Sequence, residues 1–266
     1  MQQFKGAIIK GIILLTALAI AAFSGTAAFC FVPDDPYYHS SGSWGQPYDD
    51  LWALKADKLN CEPAWDISQG EGVVVAIVDS GIDYNHEDLN ANIWINENEI
   101  PNNGKDDDGN GYIDDIIGWN FIDNNNDVMD TIGHGSHCAG IIAARGDNGK
   151  GIIGVAPKAK IMALKAMTGE GESTVDKVVQ AIKYAADNGA DIINLSWGVP
   201  TRWWSPIPSL SDVINYAYAK GCIIVCAAGN NNDDATYYPP ANYTNVITVG
   251  ATTQKNEKCS FSNYGS

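Results

Sequence analysis

The sequence predicts an α/β fold, a single domain built on a central, mostly parallel β-sheet. Three observations predict it. The first is residues 73–78, an unbroken and largely β-branched apolar run that stops at Asp79-Ser80-Gly81. A segment apolar on both faces reads as a central parallel strand covered by helices on each side. The second is the recurrence of such runs at 161–165, 191–196, 222–228 and 246–249, with helical patterning between most of them. The third is size: 266 residues with 45% hydrophobic content are enough for one large core. There is no internal repeat.

The elements follow in order. Residues 1–28 read as a secretory signal peptide. Lys5 and Lys10 give a positive start, 12–22 form a short apolar core, and Thr26-Ala27-Ala28 is a small-residue cleavage site. Phe29 before Cys30 does not fit a lipoprotein signal, and a retained membrane anchor is the competing reading. Residues 29–50, rich in Pro, Ser, Gly and Tyr, read as an irregular arm. Residues 51–67 hold one or two short helices, and the strand that ends at Asp79 comes next. In open α/β sheets the functional crevice lies beyond the carboxyl ends of such strands. Asp79 falls there, although taken alone it is equally an Asx-turn former.

Residues 96–130 read as a long loop insertion dense in Asn, Asp and Gly. Asp106, Asp108 and Asn110 alternate, a glycine stands at the sixth position, and Asp114 and Asp115 follow. Alternate oxygen donors with a turn glycine form the pattern of a calcium loop. The acid expected at the twelfth position is missing, so Asp114 or Asp115 has to replace it. A merely solvated acidic loop is the competing reading. Further along, Gly133-His134-Gly135 opens a small-residue helix. Ser173 with Asp176 three residues on reads as a capping box for a helix that Gly189 ends. A helix over 211–220 is closed by Gly221.

The formal charge of -16, from 32 acidic and 16 basic residues, argues against nucleic acid as a partner. It is compatible with bound divalent cations. Six cysteines in a chain of this length do not make a disulfide scaffold, and Cys222 and Cys226 read as buried small hydrophobes.

Asp79-Ser80-Gly81, Gly133-His134-Gly135 and Ala227-Ala228-Gly229-Asn230 occur in this order on an α/β pattern. Together they resemble the subtilases, the subtilisin-like serine peptidases, in their thermitase-like branch, over residues 34–266. The resemblance implies a subtilisin-like three-layer fold, with 51–266 as the peptidase domain, incomplete at its C-terminus. It implies that Asp79 and His134 are two members of a catalytic triad and that Asn230 is the oxyanion-hole donor. It implies that Gly169, Gly171, Ser196, Trp197, Gly198, Ala228 and Gly229 hold an extended peptide or protein substrate as an added strand. Trp197 stands where the family has leucine, so it either narrows an apolar subsite or simply packs.

The resemblance also implies structural calcium. Asp35, Asp88 and Asn148 match a site tying the arm to the loop after the histidine helix. Asn120, Asp123 and Asn125 resemble a second, weaker one. Cys138 matches a cysteine beside the histidine, either reagent-sensitive or buried and inert. Two departures stand out. The family's Gly-Thr-Ser-Met-Ala segment, with the nucleophile, does not occur in this sequence, and no propeptide-length segment separates the signal from the arm. The expectation is a secreted, calcium-stabilised endopeptidase fragment, inactive and poorly stable as written, with no stable membrane association after signal cleavage. The alternative is a non-catalytic pseudoprotease, or an exported protein that binds calcium or peptide. Oligomeric state is left open.

Overall fold

The computed structural model describes residues 31–201 and 207–265. The proposed signal segment therefore lies outside the described residues. The elements are α1 (Pro36–His39), α2 (Cys61–Trp65), β1 (Val74–Asp79), β2 (Gly118–Asn120), α3 (His134–Ala143), β3 (Lys160–Lys165), α4 (Val175–Asp187), β4 (Ile192–Leu195), α5 (Pro208–Ala219), β5 (Ile223–Ala227) and β6 (Val246–Val249). The strands form one sheet in the order β2-β3-β1-β4-β5-β6, and every pairing is parallel.

β1 is apolar up to Asp79, and both of its faces are covered. Val75 and Ile77 join Ile161 and Ala163 of β3 in a core with Ala139 and Ala143 of α3. Ala76 and Val78 join Met162 and Leu164 in the opposite core, with Ile182 of α4 and Leu210 and Ile214 of α5. The two-residue period of a strand sends neighbours to opposite faces. Two cores on one sheet make the three layers. Ile77, Ile161, Leu164 and Ile193 have no exposed surface, and each such side chain contributes about 1.5–3 kcal/mol.

The structure differs from the sequence reading in two places. Residues 96–130 are not loop throughout, because they contain β2, which pairs with β3 at Gly118↔Ala163 and Asn120↔Lys165. Gly118 makes this possible: its φ is +129°, and a Cβ there would lie 1.9 Å from the Ala163 carbonyl oxygen. The cap of α4 is Thr174, whose hydroxyl accepts from Lys177 N. Ser173 donates instead to the Ala166 carbonyl. At the other edge β6 leaves Ile247 and Val249 half exposed. Among the described residues, no helix is long and apolar enough to cross a membrane.

Candidate active site

Asp79 ends β1 with no exposed surface. Its carbonyl accepts from Ala166 N and Met167 N at 2.8 and 3.1 Å, which fixes the strand end against β3. The chain then turns at Gly81, φ +107°, where a Cβ would lie 2.4 Å from the Val128 carbonyl oxygen. The Asp79 side chain accepts from Ser80 N at 2.8 Å. His134 opens α3, and its Nδ1 lies 2.7 Å from Asp79 Oδ1. A carboxylate only accepts, so Nδ1 carries the proton, and in the neutral imidazole Nε2 then holds the free lone pair. The imidazole is half exposed while the carboxylate is sealed. One ring edge is thus oriented by buried charge and the other faces outward as a base.

The glycine after the histidine has a spatial reason. A Cβ on Gly135 would lie 2.1 Å from the Gly81 carbonyl oxygen and 3.2 Å from Asp79 Cβ. Only a bare backbone lets α3 approach the Asp79 turn this closely. Cys138 is one turn further on, and its sulfur lies within 4.8 Å of both the Asp79 and His134 ligand atoms. Burial pushes its thiol up in pKa, against an opposing hydrogen bond from Ser196. It is therefore a neutral, half-buried thiol rather than a nucleophilic thiolate.

Asn230 is exposed at the end of the β5 turn. Asn263, to which the sequence reading gave no role, holds this turn. It is 2% exposed. Its Oδ1 accepts from Asn231 N and Asp233 N, and its Nδ2 donates to the Ala228 carbonyl. Its backbone N donates to the Gly229 carbonyl at 2.9 Å. Gly229 has φ +103° and leaves 2.4 Å between an added Cβ and Asn263 Nδ2.

The remaining proposed substrate segments leave β3 and β4, which flank β1. The loop at 168–172 is closed by Gly171 N on the Thr168 carbonyl. A Cβ on Gly169 would lie 3.5 Å from Thr131 Oγ1, and one on Gly171 3.8 Å from Ile132, so this loop borders the approach to His134. Ser196 accepts from Asn194 Nδ2. Trp197 packs against the core and its indole donates to the Val78 carbonyl at 3.0 Å. Of the two readings of Trp197, packing therefore has a visible anchor.

The proposed cation ligands fall into three groups. Asp35 and Asp88 are 0% and 3% exposed. Asn148 donates to Asp88 Oδ1 at 2.8 Å, and Asp147 N donates to Asp35 Oδ2. Asp35 Oδ1 is buried without a hydrogen-bond partner, and burial pushes its carboxyl up in pKa. In the insertion, Glu99 joins Asp106 and Asp108, with ligand atoms within 4.8 Å of one another. Sequence reading missed Glu99 because it precedes the patterned stretch. Asp114 turns away to accept from Asn103 N and Gly104 N. Asp115 faces Asn110, Asn96 and the Tyr184 hydroxyl. In the third group Asn120 donates to Asp123 Oδ2 at 3.0 Å, while Asn120 N bonds the Asn125 carbonyl. The five described cysteines are free thiols.

The sequence pattern of the subtilase family matches residues 70–266. The chain is 38% identical to thermitase of Thermoactinomyces vulgaris over 236 residues, 89% of this chain and 71% of that protein. It is 40% identical over 234 residues to the thermophilic serine proteinase of Bacillus sp. strain AK1, 87% of this chain but 52% of that one. Among solved structures, a protease of Pseudoalteromonas arctica PAMC 21717 superposes with a TM-score of 0.71 at 28% identity, covering 88% of this chain and 70% of that chain.

Proposed function

The chain belongs to the subtilase family, and on that premise we propose that it carries the Asp–His half of a secreted serine endopeptidase acting on extended peptides. The observation that carries the reading is the 2.7 Å contact between the His134 Nδ1 and a fully buried Asp79. In the proposed reaction His134 Nε2 takes the proton of an attacking hydroxyl. Asp79 fixes the tautomer and stabilises the imidazolium. The Asn230 amide donates to the oxyanion, and the backbone at 169–171 and 196–198 holds the substrate as an added strand.

No Gly-Thr-Ser-Met-Ala segment occurs in these 266 residues, so the polypeptide they form is read as catalytically silent. The test is twofold. Purified 266-residue polypeptide should not hydrolyse casein at any calcium level. Coding sequence read past Ser266 should supply the nucleophile segment. If it does not, the endopeptidase reading fails and the second reading takes its place, a non-catalytic protein that binds extended peptides.

Calcium is proposed as a structural ion. The fit rests on Asp35 Oδ1, a buried carboxylate oxygen with no partner, next to the loop that carries Asn148, whose side chain reaches Asp88. An unpaired buried charge is costly, and a hard cation with oxygen ligands removes the cost. Asp35, Asp88 and Asn148 would hold it. Glu99, Asp106 and Asp108 are the second candidate set. Secretion is proposed from the composition of residues 1–28.

A further inference from the structure

Asp130 lies between β2 and α3, at the end of the 96–130 insertion and outside the proposed triad and cation sets. Its carboxylate accepts five hydrogen bonds. Oδ1 takes Ser80 Oγ at 3.0 Å, Ile132 N at 3.0 Å and Gly133 N at 2.9 Å. Oδ2 takes Ser136 N at 2.9 Å and Ser136 Oγ at 2.8 Å. Two of these partners reach back to the strand that ends in Asp79. Ser80 follows Asp79 directly, and its Oγ also accepts from Gly135 N at 3.0 Å. Ser136 Oγ also accepts from Asp83 N at 2.9 Å.

The N-cap of α3 is Gly133, which has no side chain to cap the helix. Asp130 does that work from three residues upstream, and places negative charge at the positive end of the helix that begins with His134. We propose that Asp130 is a positioning residue for the catalytic base, bridging the Asp79 turn and the first turn of α3 so that His134 stays in hydrogen-bond register with Asp79. The proposal rests on the Asp–His reading above.

The titratable groups gathered here come from each neighbouring element. Asp79 is on β1 and Cys138 on α3 itself, with its thiol neutral. Asp83 lies behind Ser136. From β3, Lys165 Nζ donates to the Met129 carbonyl at 2.7 Å, beside Asp130. Burial would raise the Asp130 carboxyl, but the hydrogen bonds from Ser136, Gly133 and Ile132 outweigh it and lower its pKa, so it stays ionised.

The test uses the 266-residue chain with ¹⁵N-histidine and needs no turnover. The His134 pKa and its Nδ1 proton signal are followed in the parent, Asp130→Ala and Asp130→Asn, with Asp127→Asn as a surface-charge control. The expected result is a His134 pKa lowered by about one unit in Asp130→Ala, with the Nδ1 proton signal lost to exchange. Asp130→Asn keeps one acceptor and should fall between, and Asp127→Asn should match the parent. A purely structural role would lower the melting temperature and leave both imidazole readouts of the folded protein unchanged, and that result overturns the proposal. If Asp130→Ala does not fold, Asp130→Asn keeps the side-chain volume and is held to the same two readouts. If Asp79→Asn leaves the His134 pKa unchanged in the parent chain, the Asp–His pairing itself fails, and the proposal falls with it.

Discussion

Replacing Gly135 by alanine sets two opposed effects against each other within one helix. Alanine is the better helix former by about 1 kcal/mol, so propensity alone predicts a more stable protein. The structure predicts the opposite. An added Cβ would lie 2.1 Å from the Gly81 carbonyl oxygen, where ordinary contact begins at 3.4 Å. The helix must then retreat by the difference, roughly 1.3 Å, or the Asp79 turn must yield by as much. Either movement stretches the His134–Asp79 contact, now 2.7 Å, toward 4 Å if it runs along the bond, beyond hydrogen-bond range. Overpacking of this kind costs about 1–3 kcal/mol, which meets or exceeds the propensity gain. Gly135→Ala should therefore melt up to about 8 °C lower and lose the His134 Nδ1 proton signal. Gly140→Ala in the same helix is the control. Its Cβ meets only Ile152 Cδ1, at 3.5 Å, so propensity should win and stability should hold or rise. A Gly135→Ala chain that melts at or above the parent with its imidazole signal intact would refute the steric account.

Three further outcomes are expected. Calcium should raise the melting temperature of the chain, by about 2.7 kcal/mol of stability at a hundredfold excess over Kd. Asp35→Asn should reduce that gain yet melt no lower than the parent in EDTA, since it removes the charge of a buried carboxylate with an unpartnered oxygen; a variant that gains as much from calcium as the parent rules Asp35 out as a ligand. Burial would raise the Asp187 carboxyl, but hydrogen bonds from Lys183, Lys220 and Tyr216 hold it at about 2, below the unfolded value of about 3.9. Its contribution is thus complete above pH 4 and lost as pH falls through 2. With a carboxylate about a third exposed it amounts to about 1 kcal/mol after solvent screening, and in acid titrations Asp187→Asn should lose that step. Trp197→Phe should cost about 1–2 kcal/mol by denaturant melt through loss of the indole bond to Val78, and an unchanged midpoint would return Trp197 to a role in the substrate cleft alone.

What the sequence made legible was local. β1 declares itself by six consecutive apolar positions, and His134 by glycines that flank it directly. Both signals fall within a few residues, so pattern reading finds them. β2 is three residues long, and the short apolar run around it, Ile116 to Ile122, is flanked on both sides by Asn and Asp that mark a loop, until its pairing with β3 identifies Gly118–Asn120 as a strand. The Thr174 cap was displaced by one position because two hydroxyls stand side by side and only one sits at the helix start. Glu99 and Asn263 left no local trace. Asn263 meets its partner Asn231 across 32 residues of chain, and Glu99 meets Asp108 across nine. Neither contact has a short-range sequence pattern that announces it.

The placement of the chemistry follows from the strand order. Parallel strands all point one way, so every loop that leaves a carboxyl end opens on the same edge of the sheet. β3, β1, β4 and β5 are neighbours in that order. Residues 169–171, Asp79, residues 196–198 and residues 228–230 therefore emerge side by side although they are scattered through the chain. His134 is the exception, because it begins a helix rather than ending a strand. It has to be brought to the row by packing α3 against the Asp79 turn. That is why glycines are needed at this junction: Gly81 and Gly135 each lack room for a side chain, at 2.4 and 2.1 Å from a carbonyl oxygen. A residue delivered by packing is free to drift where one delivered by a strand is not. The five bonds of Asp130 act at that one junction.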